Sequence, residues 1–243
     1  MMNMDVACLG KGLFGRLVSA VYPPRCVFCG AAGFADRDIC EACYDELPWI
    51  GSSCVQCAIP LADGSGNQLR CGNCLRKPPH FDHSLSLFSY EKNAVHLIRQ
   101  LKFNEKLAYS RLLGRMLADR VAQNDAALPH CLLPVPLHKK RLRLRGFNQS
   151  VELSREVVKQ FGLMLDVSAV ARMRDTQSQS GLDRKQRRKN ISGAFRVIRP
   201  VSADHVVIVD DVVTTTSTVN ELARALKKAG VKRVGVWSIA RAV

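Results

Sequence analysis

No part of this 243-residue sequence combines the length and the apolar character of a membrane-spanning segment. The N-terminal stretch 1–22 also lacks the uninterrupted hydrophobic core and the small-residue cleavage site of a signal peptide, because Asp5, Lys11 and Arg16 interrupt it. We therefore expect no membrane span and a cytoplasmic location. An amphipathic helix over Leu13–Val21 is predicted in place of a leader.

Acidic residues are too few to balance the basic ones. The chain has 36 Lys and Arg against 21 Asp and Glu, which gives a formal net charge of +15. This excess favours a polyanionic partner such as nucleic acid, or anionic phosphates. A basic surface without any such partner would give the same composition, so charge alone leaves both interpretations open.

Aromatic residues are scarce as well, at 6% of the chain. None of them lies within the basic block at 184–189, which has five positive charges in six residues. Binding of single strands by base stacking is therefore weakly supported. Contact with phosphates needs no base recognition, so two interpretations stay open: the block closes over the phosphates of a bound ligand, or it forms part of a nucleic-acid-binding face.

Eight of the ten cysteines form four C-x-x-C pairs within fifty residues. Two such pairs supply the four thiolates that a tetrahedral structural zinc ion prefers, so two zinc sites are predicted. Sequential pairing is favoured over an interleaved arrangement because both halves repeat the same spacing. A disulfide framework, which cytosolic conditions disfavour, and an iron–sulfur cluster are the alternatives. The predicted ligands are Cys26, Cys29, Cys40, Cys43, Cys54, Cys57, Cys71 and Cys74; Cys8 and Cys131 are expected to be packing residues.

The segment Val206–Thr218 is the most informative stretch. A short apolar run, typical of a buried parallel strand, ends in Asp210 and Asp211, and a hydroxyl-rich turn and a helix follow. Helix-end N–H groups and hydroxyls suit a phosphate, while carboxylates suit ribose hydroxyls or a metal ion. An ordinary Thr-capped helix after a strand is the alternative interpretation.

Strands and helices alternate along the rest of the chain, which predicts a parallel α/β sheet. Strands are predicted at 84–90, 131–135, 166–171, from 206 and at 231–240, and helices at 94–101, 106–123, 149–159 and 221–228. The basic segment His138–Gln149 directly follows the second strand. Loops beyond the carboxyl ends of parallel strands form the ligand crevice, so this segment is predicted to face a diphosphate, or else to be a solvated loop.

Four motifs occur in the order in which the ComF family has them. These are the doubled cysteine ribbon after Pro23-Pro24-Arg25, Arg-Gly-Phe-Asn-Gln at 145–149, Gly-Ala-Phe at 193–195, and the Asp-Asp loop. The chain therefore resembles the ComF family of the phosphoribosyltransferase superfamily and is similar to the GntX DNA-utilisation proteins. The resemblance implies a type I phosphoribosyltransferase-like parallel sheet flanked by helices, with an N-terminal double zinc ribbon. The implied limits are an amphipathic segment at 1–22, the ribbons at 23–78 and the phosphoribosyltransferase-like domain at 79–243.

The resemblance also implies which residues bind phosphoribosyl diphosphate (PRPP) and Mg²⁺. The loop residues would be Asp210, Asp211, Thr214, Thr215, Thr216, Ser217 and Thr218, and pyrophosphate would face Lys140, Arg141, Arg145 and Gly146. Thr216 departs from the family pattern, which has glycine at this position. Glycine permits close backbone approach and positive φ, and a β-branched residue resists both.

The function implied by the resemblance is help in the uptake or utilisation of external DNA, with phosphoribosyl transfer to an acceptor that the sequence does not identify. No base-reading hood is found. The alternative is a non-catalytic adaptor with a sensory or vestigial PRPP pocket. Its partners would be single-stranded DNA, a helicase-like protein or a protein of the uptake machinery.

Overall fold

The structure is a computed structural model that describes residues 23–62, 69–103, 107–124, 127–175 and 190–242. The chain divides into two compact units, Met1–Leu47 and Pro48–Val243. The predicted helix Leu13–Val21, the basic block and Cys8 lie outside the described residues, as does loop 63–68 between two of the cysteine pairs. The domain limits implied by the resemblance stay predictions.

The described part of the first unit is a tight knuckle and one helical turn, α1 (Glu41–Asp45). The backbone N–H of Gly30 donates to the carbonyl of Cys26 over 2.9 Å, and Gly30 has a φ of 74°. Glycine suits this turn because other residues adopt a positive φ only with strain. Ile39 is fully buried.

The second unit is built on a parallel sheet of five strands in the order β1-β7-β6-β2-β3. A separate antiparallel pair is formed by β4 and β5. The strands are β1 (His83–Ser89), β2 (Cys131–Pro134), β3 (Met164–Leu165), β4 (Val170–Arg172), β5 (Phe195–Val197), β6 (His205–Val213) and β7 (Arg233–Arg241).

Helices flank this sheet and bury apolar faces. In the last of them, residues Val219, Leu222, Ala223 and Leu226 are buried, which is the spacing of one helix face. The four residues 206–209 of β6 are fully buried, as expected for a parallel strand covered on both sides. The helices of this unit are α2 (Gly72–Arg76), α3 (Lys92–Phe103), α4 (Leu107–Ala122), α5 (Lys139–Arg145), α6 (Gln149–Phe161) and α7 (Ser217–Lys228).

The predicted fold class is confirmed, but the structure differs from the prediction in several local elements. Only residues 170 and 171 of the strand predicted at 166–171 lie in a strand, β4. The rest of that prediction is wrong, because Asp166 Oδ1 accepts hydrogen bonds from the N–H groups of Ser168 and Ala169, at 2.9 and 2.8 Å, and turns the chain. The basic segment after β2 contains helix α5, which ends at Gly146 with a φ of 72°. Among the described helices, none is both long and apolar enough to cross a membrane.

Candidate functional site

The two acids lie at the carboxyl edge of the sheet. The last residue of β2, Pro134, pairs with Val209, and β6 continues past it so that Asp210 pairs with Ser238 of β7. The backbone N–H of Asp211 donates to Asp210 Oδ1 over 2.9 Å. Burial and the neighbouring carboxylate of Asp211 raise the pKa of Asp210 to about 7. Asp210 therefore changes charge near neutral pH.

Lys102, near the end of α3, reaches the acid pair. Its Nζ lies 3.0 Å from Asp211 Oδ2. Burial by itself would lower the pKa of Lys102, but the charge of Asp211 more than offsets this and raises that pKa above its ordinary value. Lys102 thus stays cationic and neutralises one of the two carboxylates.

The hydroxyl-rich loop leads from β6 into α7. Thr216 is the residue before the helix and has φ 60° and ψ −2°, the left-handed conformation, and its side chain makes no capping hydrogen bond. Its hydroxyl donates to the Thr215 carbonyl over 2.6 Å, and the hydroxyls of Thr215 and Ser217 lie 2.9 Å apart. A small cavity inside the loop is lined by residues that include Asp210, Thr214 and 216–218. The helix N-terminus and hydroxyls surrounding it have the chemistry of a phosphate site.

A second, larger cavity of about 560 Å³ borders the same loop. It is lined by 77–80, 191–192, Thr215–Ser217 and the α7 residues Asn220, Glu221 and Arg224. The Asn220 side-chain oxygen accepts from the His80 N–H over 2.6 Å, which joins the segment between the second ribbon and β1 to α7. The volume is within the range of small-molecule sites.

Basic residues of α5 lie beside Asp175, and Arg172 of β4 is coupled electrostatically to Asp210. Lys140 Nζ and Arg141 Nε each lie 3.9 Å from a carboxylate oxygen of Asp175. Arg172, at the end of β4, is buried, and burial together with the charge of Arg141 lowers the pKa of its guanidinium to about 10. Asp210 acts in the opposite direction on Arg172, so α5, β4 and the acidic edge of β6 share one electrostatic environment.

The other two predicted pyrophosphate residues have local structural roles. Arg145 Nη1 donates to Gln149 Oε1 over 3.3 Å. Gly146 ends α5 in the left-handed conformation, and Asn148 caps α6 by accepting from the Ser150 N–H over 3.1 Å. The motif at 145–149 therefore builds the junction between two helices. Its binding role stays a prediction.

The cysteines group in sequence order, as predicted. In each set of four, the sulfur atoms lie within 4.8 Å of one another. The Sγ atoms of Cys29 and Cys40, and those of Cys57 and Cys71, are 3.7 Å apart. Four sulfurs at tetrahedral Zn–S bonds of about 2.3 Å would be about 3.8 Å apart. Both sets fit a structural zinc ion, and none of the described cysteines forms a disulfide.

Backbone hydrogen bonds favour the thiolate of Cys54 in the second set, whereas burial raises the pKa of its neighbour Cys57 to about 11. Burial by itself opposes ionisation of Cys54, but hydrogen bonds from the N–H groups of Cys71, Cys57 and Gln56 lower its pKa to about 7. The N–H of Cys71 donates to Cys54 Sγ over 3.2 Å. Zinc, when bound, would hold the two knuckles of each set together. Cys131, by contrast, is buried in the core under the sheet, as expected for a packing residue.

Sequence reasoning assigned no site role to three basic residues that surround the loop. Lys102 lies in the Leu-Lys-Phe triplet at 101–103, and Arg172 begins a polar segment. In both cases a feature of the neighbouring sequence could have indicated a functional residue. Arg241, at the end of β7, had none. It donates to the carbonyls of Val213 and Cys57, and only the sheet brings these residues together.

Comparison with known proteins agrees with this architecture. Residues 17–75 match the double zinc ribbon domain, and residues 148–242 match the phosphoribosyl transferase domain. The chain is 37% identical over 207 residues to a DNA utilization protein YhgH of Salmonella typhimurium, covering 84% of this chain and 90% of that protein. The chain belongs to the ComF family. The YhgH protein of Escherichia coli K12 is 36% identical with the same coverage, and Competence protein F of Haemophilus influenzae is 32% identical over 90% of this chain and 97% of that protein. This ComF-family chain thus joins a phosphoribosyltransferase domain to two four-cysteine sites.

Proposed function

We propose that this chain binds a phosphoribosyl ligand, PRPP with Mg²⁺, and acts in the cytoplasm in the utilisation of external DNA. One observation supports the proposal that the ligand is a phosphoribosyl compound. The acid pair Asp210–Asp211 lies near the carboxyl end of a central parallel strand, which ends at Val213, and a hydroxyl loop at the N-terminus of α7 follows this strand. The names of the relatives support the DNA part, and thiolate zinc sites are suited to a reducing compartment.

Each group of residues has a role that follows from its chemistry. Asp210 and Asp211 hold the ribose hydroxyls, directly or through Mg²⁺, and residues 214–218 hold the 5′-phosphate with hydroxyls and helix-end N–H groups. Lys140, Arg141, Arg145 and the backbone at Gly146 face the pyrophosphate. Mg²⁺, when bound, supplies further charge neutralisation for the diphosphate. Lys102 and Arg172 set the charge of the acid pair.

In the catalytic form of the proposal, the bond between the ribose C1 and the pyrophosphate oxygen breaks. Its electron pair leaves with the pyrophosphate, and a nucleophilic acceptor forms the new bond to C1. The chain contributes positioning and charge stabilisation. The basic side chains of α5 would stabilise the departing negative charge.

A non-catalytic adaptor is the second candidate, and Thr216 favours it. A β-branched residue is in the left-handed conformation at the position where PRPP loops have glycine. Its Cβ stands next to the backbone that a phosphate would approach. In this form the PRPP pocket is sensory or vestigial, while basic faces bind single-stranded DNA, a helicase-like protein or a protein of the uptake machinery.

Titration calorimetry with PRPP and Mg²⁺ tests the pocket. We expect saturable binding in the wild type and none in the double variant Asp210→Asn/Asp211→Asn. If the wild type does not bind, the pocket proposal is wrong. Release of pyrophosphate from bound PRPP in the presence of candidate acceptors then separates the catalytic form from the adaptor.

Single-stranded DNA binding is tested by its salt dependence. The charge of +15 predicts affinity that falls steeply between about 50 and 200 mM salt, as happens when phosphate contacts release counterions, with little sequence preference. Absence of binding even at low salt would exclude direct DNA contact and leave a protein partner.

A further inference from the structure

Arg241 joins the hydroxyl loop to the second cysteine set. It is the last residue of β7, its backbone pairs with Val213 at the end of β6, and its side chain is buried. Nη1 donates to the carbonyl of Val213 over 3.1 Å and also to the carbonyls of Thr214 and Ala242. Nε donates to the carbonyl of Cys57 over 2.9 Å.

The bonds on the loop side fix two peptide planes. In a planar trans peptide, the C=O of one residue and the N–H of the next point in opposite directions, and the described chain has no cis peptide. Arg241 holds the carbonyls of Val213 and Thr214, so it also directs the N–H groups of Thr214 and Thr215 away from itself. These N–H groups belong to the loop that we propose binds the 5′-phosphate.

The bond on the ribbon side ends at a metal knuckle. Cys57 is one of the four sulfur ligands of the second set, and its carbonyl belongs to the peptide that leads into Ala58. Ala58 has a φ of 54°, and its N–H donates to the Cys54 carbonyl over 2.8 Å, which closes the knuckle turn. A metal ion that holds the thiolates of Cys54 and Cys57 would fix this turn and therefore the Cys57 carbonyl.

We propose that Arg241 is a positioning residue for the phosphate-binding loop and that it couples this loop to the second zinc site. The guanidinium suits this role because its planar fork donates in two fixed directions at once, which an ammonium group does not. The second ribbon would then be a support for the ligand pocket as well as a separate module. The identity of the loop's ligand rests on the proposed function, but the coupling itself does not.

The first test replaces Arg241. Amide hydrogen exchange of 213–218, PRPP affinity and zinc content are measured for Arg241→Met and Arg241→Lys. We expect exchange in the loop to become at least about tenfold faster in Arg241→Met and PRPP binding to weaken about tenfold, with two zinc ions retained. Arg241→Lys, which can reach only one of the two sides, should be intermediate. The matched control is Arg120→Met, because Arg120 also donates to a carbonyl, that of Ile50 over 3.2 Å.

The second test removes one zinc site at a time and compares Cys74→Ser with Cys43→Ser. We expect faster exchange at 213–218 only in Cys74→Ser, whose set contains Cys57. Equal exchange in the two variants, or loop exchange unchanged in Arg241→Met, would overturn the coupling. Exchange is measured without ligand, so it still decides the coupling if wild-type protein fails to bind PRPP, a result that would refute only the proposed ligand.

Discussion

The ammonium of Lys102 lies 3.0 Å from the carboxylate of Asp211, across the acidic edge of the sheet. Burial and the charge of Asp211 raise the pKa of the neighbouring Asp210 to about 7. Two adjacent acids in one motif therefore have different roles. Asp211 is paired with a lysine, whereas Asp210 exchanges between its protonated and ionised forms near neutral pH.

Replacing Lys102 should weaken the pocket. In Lys102→Met the pKa of Asp210 should rise further, because the charge of Lys102 acts to lower it. We expect PRPP binding at pH 7 to weaken about three- to tenfold and the pH of half-maximal affinity to move upward. Arg99→Met, an exposed position on the same helix, is the control. If the affinity is the same as in the control, Lys102 does not tune the acid pair.

The raised pKa of Asp210 predicts that PRPP affinity and folding stability change in opposite directions with pH. PRPP affinity should rise as the pH passes through 7, because the ribose hydroxyls need the ionised form. The folded-state pKa lies above the ordinary value of 3.8, so the folded state holds the proton more tightly and stability falls as the pH rises from about 4 through 7. Asp210→Asn should therefore raise the melting temperature at pH 8, change it little at pH 4, and abolish PRPP binding. A lower melting temperature at pH 8 would contradict the assigned pKa.

The variant Thr216→Gly tests two effects of Thr216, which are backbone strain in the left-handed conformation and obstruction of the ligand phosphate by the Cβ atom. Glycine adopts the left-handed conformation without the cost of about 1 kcal/mol or more that other residues have. We expect the variant to be as stable as the wild type or more stable, and to bind PRPP about fivefold more tightly, since the Cβ no longer stands beside the phosphate. Thr216→Ala keeps a Cβ and should show neither gain. Equal affinities of the glycine and alanine variants would mean that Cβ does not limit binding.

The zinc prediction concerns stoichiometry. Metal analysis of the purified chain should give about two zinc ions. Cys43→Ser and Cys74→Ser should each lose about one, because each cysteine belongs to a different set of four. A wild-type value near one would show that one set is not a metal site.

Acid should destabilise the fold through a histidine at the start of β1. Burial, together with the positive charges of Arg233 and His205, lowers the pKa of His83 to about 4. The unfolded chain binds this proton more readily, so stability is full above about pH 6.5 and is lost as the pH falls toward 4, by on the order of 3 kcal/mol. Asp82 acts in the opposite direction. Urea unfolding from pH 7 to 4 should show a smaller loss in His83→Gln than in the wild type, with the exposed His96→Gln as control.

The fold class was accessible from sequence because its signals are local. The apolar run at 206–209 and the spaced faces of the helices predict buried parallel strands and covering helices, and the structure has both. Most of the strand predicted at 166–171 failed because one side chain, Asp166, turns the backbone through bonds that an apolar pattern does not encode. The helix within the basic segment was also missed: Lys, Arg and Leu are good helix formers, but the helix has only seven residues and buries none of them, so no apolar face marks it.

The sequence by itself determined the components: four cysteine pairs, an acid pair, a hydroxyl turn and a threonine in place of glycine. Those depend on residue type and on spacing along a short stretch. Only the tertiary structure decided that Lys102 neutralises Asp211, that Arg141 and Asp210 both act on Arg172, and that Arg241 links Cys57 to the loop. Val213 and Cys57, two of the partners of Arg241, are 28 and 184 residues away from it in the chain, and no local pattern selects them. The sheet brings them together, because parallel strands place all their carboxyl ends at one edge.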